Sequence, residues 1–176
     1  MIAPLIAFSL VGLLIFYVQS LVLFPYVHLR LLALLLFYVG LRPSLSLTLA
    51  LGLVLGCLQD SYATTPQGLH LGASLVLVAM ARYFRRRLLL QQLGFQALAS
   101  LVALVLQEVY LQLVTFMLSY QPLFPHDLTT LHAMEILGTA ALGPLMHLLV
   151  QGVQDSLRRL GWRPRSDPMP YQPFGE

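Results

Sequence analysis

Two carboxylates interrupt long apolar stretches of this sequence, and their chemistry needs an explanation. Asp60 ends the run SLSLTLALGLVLGCLQD, and Glu108 lies near the middle of LASLVALVLQEVYLQLVTFML. In a bilayer, a carboxylate at the midplane costs about 2.5–3.5 kcal/mol on insertion scales, whereas the cost near the interface is much smaller. A carboxylate in such a stretch therefore indicates either a functional site or a site of helix pairing.

The role of Glu108 stays open on the sequence alone. Gln107 is its direct neighbour, and Gln112 lies one helical turn beyond it on the same face. The carboxyl group can be protonated and hydrogen-bonded, or it can pair with Arg30, His147 or a polar group of another span. Structural hydrogen bonding, binding of a partner and transport are the three interpretations.

Metal binding and catalysis find little support in the residue pattern. His70, His132 and His147 lie in separate segments, without the HxxxH or HExxH spacing of metal sites. No GxSxG, SxxK, Walker or Rossmann pattern occurs, and few titratable groups are available for acid–base work. A proton pathway would have only Glu108, Glu135 and the two histidines His132 and His147 to use. We therefore expect no enzyme, no metal and no cofactor.

A row of small residues leads to Asp60. Its members stand at intervals of four: Ser44, Thr48, Gly52, Gly56 and Asp60. Each four-residue step turns a helix about 40° beyond a full revolution, so the row winds around the helix. The two glycines form a GxxxG pair, and small residues let another helix approach closely. The pattern predicts that this helix is central and tightly packed.

Asp60 itself allows two interpretations. It can cap the following turn, DSYATTPQG, by accepting backbone N–H bonds, or it can face inward with Gln59 to fix the outer loop or bind a partner. Pro66 restricts φ in this turn, and Gly68 permits a positive φ just before the next helix. The turn is therefore expected to have a defined shape.

The elements that must position these residues are membrane spans. The chain is 58% hydrophobic and 10% charged, against about 25% charged residues in soluble domains. We predict an all-α integral membrane protein, a compact bundle of about six transmembrane helices in one domain, 1–156. The predicted spans are 3–24, 27–41, 44–60, 69–84, 94–119 and 131–155. Because the second and third are short, five spans with a tight hairpin near Pro43 remain open.

The third span, 44–60, alternates small residues with leucine, which is also typical of a strand. A lone strand would leave its backbone unpaired in lipid, and nothing nearby supplies a barrel pattern. A helix satisfies its own backbone groups. We therefore predict a helix for this span.

Arginine placement predicts the orientation. If the N-terminus is cytoplasmic and there are six spans, every arginine except Arg30 falls on the cytoplasmic side. Those on the cytoplasmic side are Arg42, Arg82, Arg85, Arg86, Arg87, Arg158, Arg159, Arg163 and Arg165. Arg30 is expected to snorkel to the interface or to pair with a carboxylate. The Arg/Pro-rich tail, 157–176, is expected to have no fixed fold and to lie against anionic lipid or to dock a partner. Both termini are thus predicted in the bacterial cytoplasm.

The segment GCLQDSYATTPQGLHLG resembles the family of the rod shape-determining protein MreD. In that family, a helix with spaced glycines ends in a G-x-x-x-D-like element, followed by a short turn and a Gly-Leu-containing helix start. The matching positions here are Gly52, Gly56, Leu58, Gln59, Asp60, Gly68, Leu69 and Gly72. Length and hydropathy extend the resemblance over most of the chain, but this segment is its specific part.

The resemblance implies a non-enzymatic role in the elongasome, the machinery of lateral peptidoglycan synthesis and cell-shape maintenance. Proteins of this family associate with the bitopic protein MreC, and through it with MreB filaments, RodA and its penicillin-binding transpeptidase. The family is also similar in fold to the substrate-binding membrane subunits of energy-coupling-factor vitamin transporters. A small-molecule-binding subunit is therefore the alternative, with Glu108, Gln107 and Tyr110 lining a pocket. No nucleic-acid partner is expected.

Overall fold

The computed structural model describes six stretches of the chain, and within them the protein is all-helical, with no strand. The described residues are 2–23, 29–42, 44–63, 66–87, 93–119 and 126–161. The helices are α1 (Ile2–Tyr17), α2 (Leu31–Gly40), α3 (Leu45–Tyr62), α4 (Leu69–Arg87), α5 (Leu93–Ser119), α6 (His126–Ala141) and α7 (Gly143–Arg159), and α1 continues as a π-helical turn, Val18–Leu23. The alternating small and leucine residues of the third predicted span therefore form a helix, as predicted.

Helix α2 lies at the centre of the bundle. It has ten residues, nine of them buried, and is about 15 Å long. Its sequence, LLALLLFYVG, is apolar on every face, which is typical of a helix surrounded by others. All six other helices contact it. The prediction that the third span is the central one is wrong in this respect, because α2 occupies that place.

Helix α3 has a packed face and an open face. The packed face carries the predicted small residues Thr48, Gly52 and Gly56, which are buried. The open face exposes large apolar side chains, namely Leu45, Leu49, Leu53 and Val54. Helix α3 is thus tightly packed on one side, as the row of small residues predicts, and lies at the edge of the bundle on the other.

The last predicted span, 131–155, is divided into two helices. Helices α6 and α7 are bent by 45° at the break, where Leu142 forms a turn. Pro144 causes the break, because it has no N–H and its ring would clash with the carbonyl group of Ala140 in a continuous helix. At the start of α7 the same proline is favourable. Helix α7 continues to Arg159, and the tail beyond residue 161 lies outside the described residues.

In the described part of the chain, three helical segments are long and apolar enough to cross a membrane. They are Ala3–Leu21, Leu45–Tyr62 and Gly94–Leu118, and the bent α6–α7 pair becomes a fourth if it is counted as one span. Large apolar side chains on these segments point outward, among them Leu14, Leu21, Leu53 and Met117. Soluble proteins seldom expose so many, so this surface suits an apolar surrounding.

Candidate functional site

Arg30 joins two carboxylates from different helices. Its Nη1 atom lies 2.6 Å from Oε2 of Glu108 on α5, and its Nε atom donates a hydrogen bond of 2.8 Å to Oε1 of Glu135 on α6. Arg30 directly precedes α2, where its carbonyl oxygen accepts the first N–H bonds of that helix. We call these three residues the Arg30 cluster. The cluster connects the start of the central helix to two outer helices.

Neighbouring polar groups fix the cluster in place. Nε2 of Gln112 donates to Oε1 of Glu108 at 2.8 Å, one helical turn away. The hydroxyl group of Thr139 accepts from the backbone N–H of Arg30 at 3.1 Å and donates to the carbonyl oxygen of Glu135 at 2.6 Å. Such added bonds matter because a partly buried ion pair compensates its desolvation only when its remaining donors and acceptors are satisfied.

The formal charges of the Arg30 cluster do not cancel. With both carboxyl groups ionised, the formal charge of the three side chains is −1, because two carboxylates share one guanidinium. The side chains of Arg30, Glu108 and Glu135 are 18%, 14% and 17% exposed. These side chains are therefore mostly buried. In such an environment each charge interacts strongly with its partner. The pairing of Glu108 with Arg30, one of the alternatives left open by the sequence, is confirmed.

Asp60 binds the start of helix α4. Its carboxylate accepts backbone N–H bonds from Gly68 at 2.9 Å, His70 at 2.9 Å and Leu71 at 3.2 Å. We call this arrangement the Asp60 clasp. It supplies acceptors for the first N–H groups of α4, which have no partner inside the helix, and places negative charge at the positive end of the helix dipole. The hydrogen bonds thus support the capping interpretation of Asp60.

The turn between α3 and α4 has the predicted special backbone. Gly68 adopts a φ of +94°, in the region that glycine tolerates and other residues rarely adopt. This conformation directs the chain into α4 immediately after the turn. The predicted need for a positive φ at this residue is confirmed.

Atoms of the same chain occupy the space beside the glycines of α3 and α4. A Cβ atom on Gly56 would lie 2.7 Å from Cα of Leu71, and one on Gly52 would lie 3.3 Å from a methyl group of Val78. A Cβ on Gly72 would collide with the hydroxyl group of Tyr110 on α5. These faces are therefore occupied by α4 and α5, so they are not open for a partner helix.

A hydrogen bond across this interface strengthens the close approach. The hydroxyl group of Ser74 donates to the carbonyl oxygen of Gly52 at 2.9 Å and also lies 2.7 Å from that of Leu71. Close helix packing of this kind, with small residues and an interhelical hydroxyl bond, is typical of membrane helices. Helices α3 and α4 thus form one tightly joined hairpin.

The remaining predicted residues have minor structural roles. Ser44 stands at the N-cap of α3 without a capping side-chain bond, and its carbonyl oxygen accepts from the hydroxyl group of Thr48 at 3.0 Å. Gln59 contributes its backbone carbonyl, which accepts from the N–H of Ala63. These contacts help to form α3 and its end.

The C-terminal ends of α2, α4 and α7 bring arginines together. Nη1 of Arg85 donates to the carbonyl oxygen of Arg42 at 3.0 Å. Burial lowers the pKa of Arg42, and nearby Arg158 lowers it further, whereas Asp155 raises it. We call Arg42, Arg85 and Arg158 the arginine end. Arginine is favourable there because a helix C-terminus carries partial negative charge.

The other predicted arginines lie near this end along the chain. Arg82 is one turn before Arg85 on α4, and Arg159 is exposed at the last residue of α7. Arg86 and Arg87 belong to α4, but their side chains lie outside the described residues. Arg163 and Arg165 of the tail lie outside them entirely.

Two features were not predicted from the sequence. Glu135 was noted only as an ionisable group, although its spacing of four from Thr139 indicates a shared helix face. Tyr38 was not singled out at all. Its ring lies edge-on to that of His147, with 5.7 Å between the ring centroids. A Cβ atom on Gly143 would lie 2.7 Å from the hydroxyl oxygen of Tyr38. A glycine directly before a proline was the available signal for that close approach.

Among the residues that the structure describes, no group of three or more His, Cys, Asp or Glu side chains could hold a metal ion. No family model matches this chain, and no curated protein or solved structure matches it either. The features of this chain that bear on its function are therefore the bundle, the Arg30 cluster and the Asp60 clasp.

Proposed function

We propose that this chain is a multi-pass protein of the bacterial cytoplasmic membrane and acts as a non-enzymatic scaffold. Its membrane segments are α1 with its π-helical turn, α2, α3, α4, α5 and the bent α6–α7 pair. The long apolar helices and their exposed apolar side chains support this placement. Both termini are then cytoplasmic, and the arginine end faces the inner leaflet.

The depth of Arg30 in this arrangement explains its partners. From Arg30 to Arg42 the chain rises only about 18 Å, because most of the segment is α-helical. If Arg42 is at the inner interface, Arg30 lies inside the apolar core, which is about 30 Å thick. A guanidinium at that depth needs anionic partners, and Glu108 and Glu135 provide them. The short α2 is covered by the other described helices.

The functional proposal depends mainly on the Asp60 clasp. It joins the end of α3 to the start of α4 within the segment GCLQDSYATTPQGLHLG, which is the part of the chain that resembles the MreD family. A fixed hairpin at the outer face of the membrane offers a partner a constant surface. We infer that the partner is an MreC-like bitopic protein, through which the chain supports MreB filaments, RodA and its transpeptidase in lateral wall synthesis.

The contacts of the ionisable groups favour a scaffold over a transporter subunit. A solute site needs several polar groups that converge on an open cavity. The candidate pocket residues lie within the bundle: Glu108 binds Arg30 and Gln112, Gln107 is buried, and the hydroxyl group of Tyr110 lies against Gly72. The carboxylate of Glu108 thus holds helices together and is occupied by residues of the same chain.

Co-purification with a tagged MreC-like protein tests this proposal. We expect the wild-type chain to be retained in mild detergent, and Asp60→Ala and Glu108→Gln to reduce retention at unchanged expression. Asp155→Asn is the matched control, because Asp155 is an exposed carboxylate at the other end of the bundle. Retention of a small solute by the wild-type chain, without any MreC-like partner, would contradict the scaffold proposal and favour the transporter subunit.

A further inference from the structure

The arginine end carries more positive charge than its neighbours neutralise. Arg42, Arg85 and Arg158 come from the C-terminal ends of three different helices. The nearby carboxylate, Asp155, lies 3.8 Å from Nη1 of Arg158 in an exposed contact, which gives little stabilisation. Among the described residues, no carboxylate oxygen lies within 4.0 Å of the guanidinium of Arg42 or Arg85. The cluster is thus short of anionic groups.

Arg42 shows this shortage most clearly. Its side chain is partly buried, and its Nη2 atom is buried without a hydrogen-bond partner. An unpaired donor on a buried charge is costly, and the proximity of Arg158 adds repulsion between like charges. An anionic group between these two arginines would reduce the repulsion and would accept hydrogen bonds from both.

The surface next to the arginine end is apolar. Helix α3 begins three residues after Arg42, and its open face starts with Leu45, which is 49% exposed, and continues with Leu49. A phospholipid places an anionic phosphate directly beside acyl chains, so it matches both parts of this surface. An acidic peptide would match the arginines but would leave the leucines uncovered.

We propose that the arginine end binds the phosphate group of an anionic phospholipid, with Arg42 and Arg158 as the principal donors. The open face of α3 receives an acyl chain of the same lipid. The site rests on the membrane location proposed above but not on any protein partner, so the scaffold role and the lipid site can fail independently of each other. A bound lipid would join the ends of α2, α4 and α7 at the inner leaflet.

Lipid retention, measured by native mass spectrometry, tests the site. The protein is released from nanodiscs of equal parts phosphatidylglycerol and phosphatidylcholine, and the ratio of the two retained lipids is determined. We expect the wild-type chain to prefer phosphatidylglycerol, and Arg42→Gln and Arg158→Gln each to lower that preference at least fivefold. Arg159→Gln should stay within twofold of wild type, because Arg159 is the neighbour of Arg158 on a different side of α7.

Other outcomes would overturn the proposal. An equal loss in all three variants would indicate general attraction of charge, and no loss in either Arg42→Gln or Arg158→Gln would leave the arginines without this role. Displacement of the lipid by inorganic phosphate at equal concentration would assign the site to free phosphate, and displacement by an acidic peptide would assign it to a protein. Because Arg158 is exposed, its variant keeps the test valid if Arg42→Gln does not fold. Retention of the MreC-like protein should not change in either variant.

Discussion

Asp60 and Glu108 are both carboxylates set in apolar helices, yet their charges are satisfied in opposite ways. Asp60 accepts three backbone N–H bonds from residues 8 to 11 positions further along the chain. Glu108 depends on side chains: on Gln112 of its own helix and on Arg30, which it shares with Glu135. One carboxylate is held by the local backbone, and the other by a long-range ion pair.

This difference determines how each site can fail. Every residue except proline carries a backbone N–H group, so apart from a change at Gly68, whose φ is positive, the Asp60 clasp is lost mainly through Asp60 itself. The Arg30 cluster depends on one guanidinium, so a single substitution there removes the partner of two carboxylates. Substitutions in the two arrangements should therefore differ in the size of their effects.

The largest effect is expected for Arg30→Gln. This substitution leaves two mostly buried carboxylates without their cation, and removal of one partner from a buried ion pair costs about 3–5 kcal/mol. We expect the free energy of unfolding, measured by detergent titration in mixed micelles, to fall by about 3 kcal/mol. Arg159→Gln, at an exposed arginine, is the control and should change it by less than about 0.5 kcal/mol. Equal small effects of both variants would rule out a stabilising role for Arg30.

An intermediate effect is expected for Gly56→Ala, which tests the packing beneath the Asp60 clasp. The new methyl group would lie 2.7 Å from the backbone of Leu71, which cannot move as a side-chain tip can. Overpacking of this kind costs about 1–3 kcal/mol, so the same titration should show a loss of about 2 kcal/mol. Gly152→Ala is the matched control, because its Cβ would meet nothing within 4 Å. That control should be neutral or stabilising by up to about 1 kcal/mol; a comparable loss in both would refute the packing argument.

A smaller and more local effect is expected for Asp60→Ala. The loss of helix-capping bonds costs about 1 kcal/mol, which corresponds to about a fivefold faster opening of the affected amides. Hydrogen exchange should therefore accelerate at Gly68, His70 and Leu71, and amides in the middle of α5 should keep their rates. Asp60→Asn keeps one acceptor oxygen, so its exchange rates at these three amides should lie between those of the wild type and those of Asp60→Ala. Uniform acceleration throughout the bundle would mean that Asp60 supports the whole fold and not only the start of α4.

The Asp60 region was largely predictable from the sequence because its determinants are local. The turn chemistry of Gly68, the small residues of α3 and the position of Asp60 all lie within about one helical hairpin. Each follows from steric and hydrogen-bonding rules that act over a few residues. The sequence therefore predicted the helix and the turn, and it left capping as one of two interpretations of Asp60.

The Arg30 cluster was predictable only in part, because its partners are far apart in sequence. Glu135 stands 105 positions from Arg30, and the pattern of apolar residues does not define how each helix is rotated about its axis. Arg30 and His147 thus remained equal candidates for Glu108. The central place of α2 and the break at Pro144 were missed for another reason. The row of small residues favoured α3 as the central helix, although the sequence of α2 is apolar on every face. The apolar run favoured one continuous last helix, although Pro144 indicates a break.

We conclude that Glu108 is a structural partner of Arg30 and not a free ionisable group. A double-mutant cycle with Arg30→Gln and Glu108→Gln tests this conclusion, with the free energy of unfolding as the readout. We expect the double variant to be more stable than the sum of the single effects predicts, with a coupling energy of about 1–3 kcal/mol. Additivity of the two substitutions within about 0.5 kcal/mol would contradict the claim.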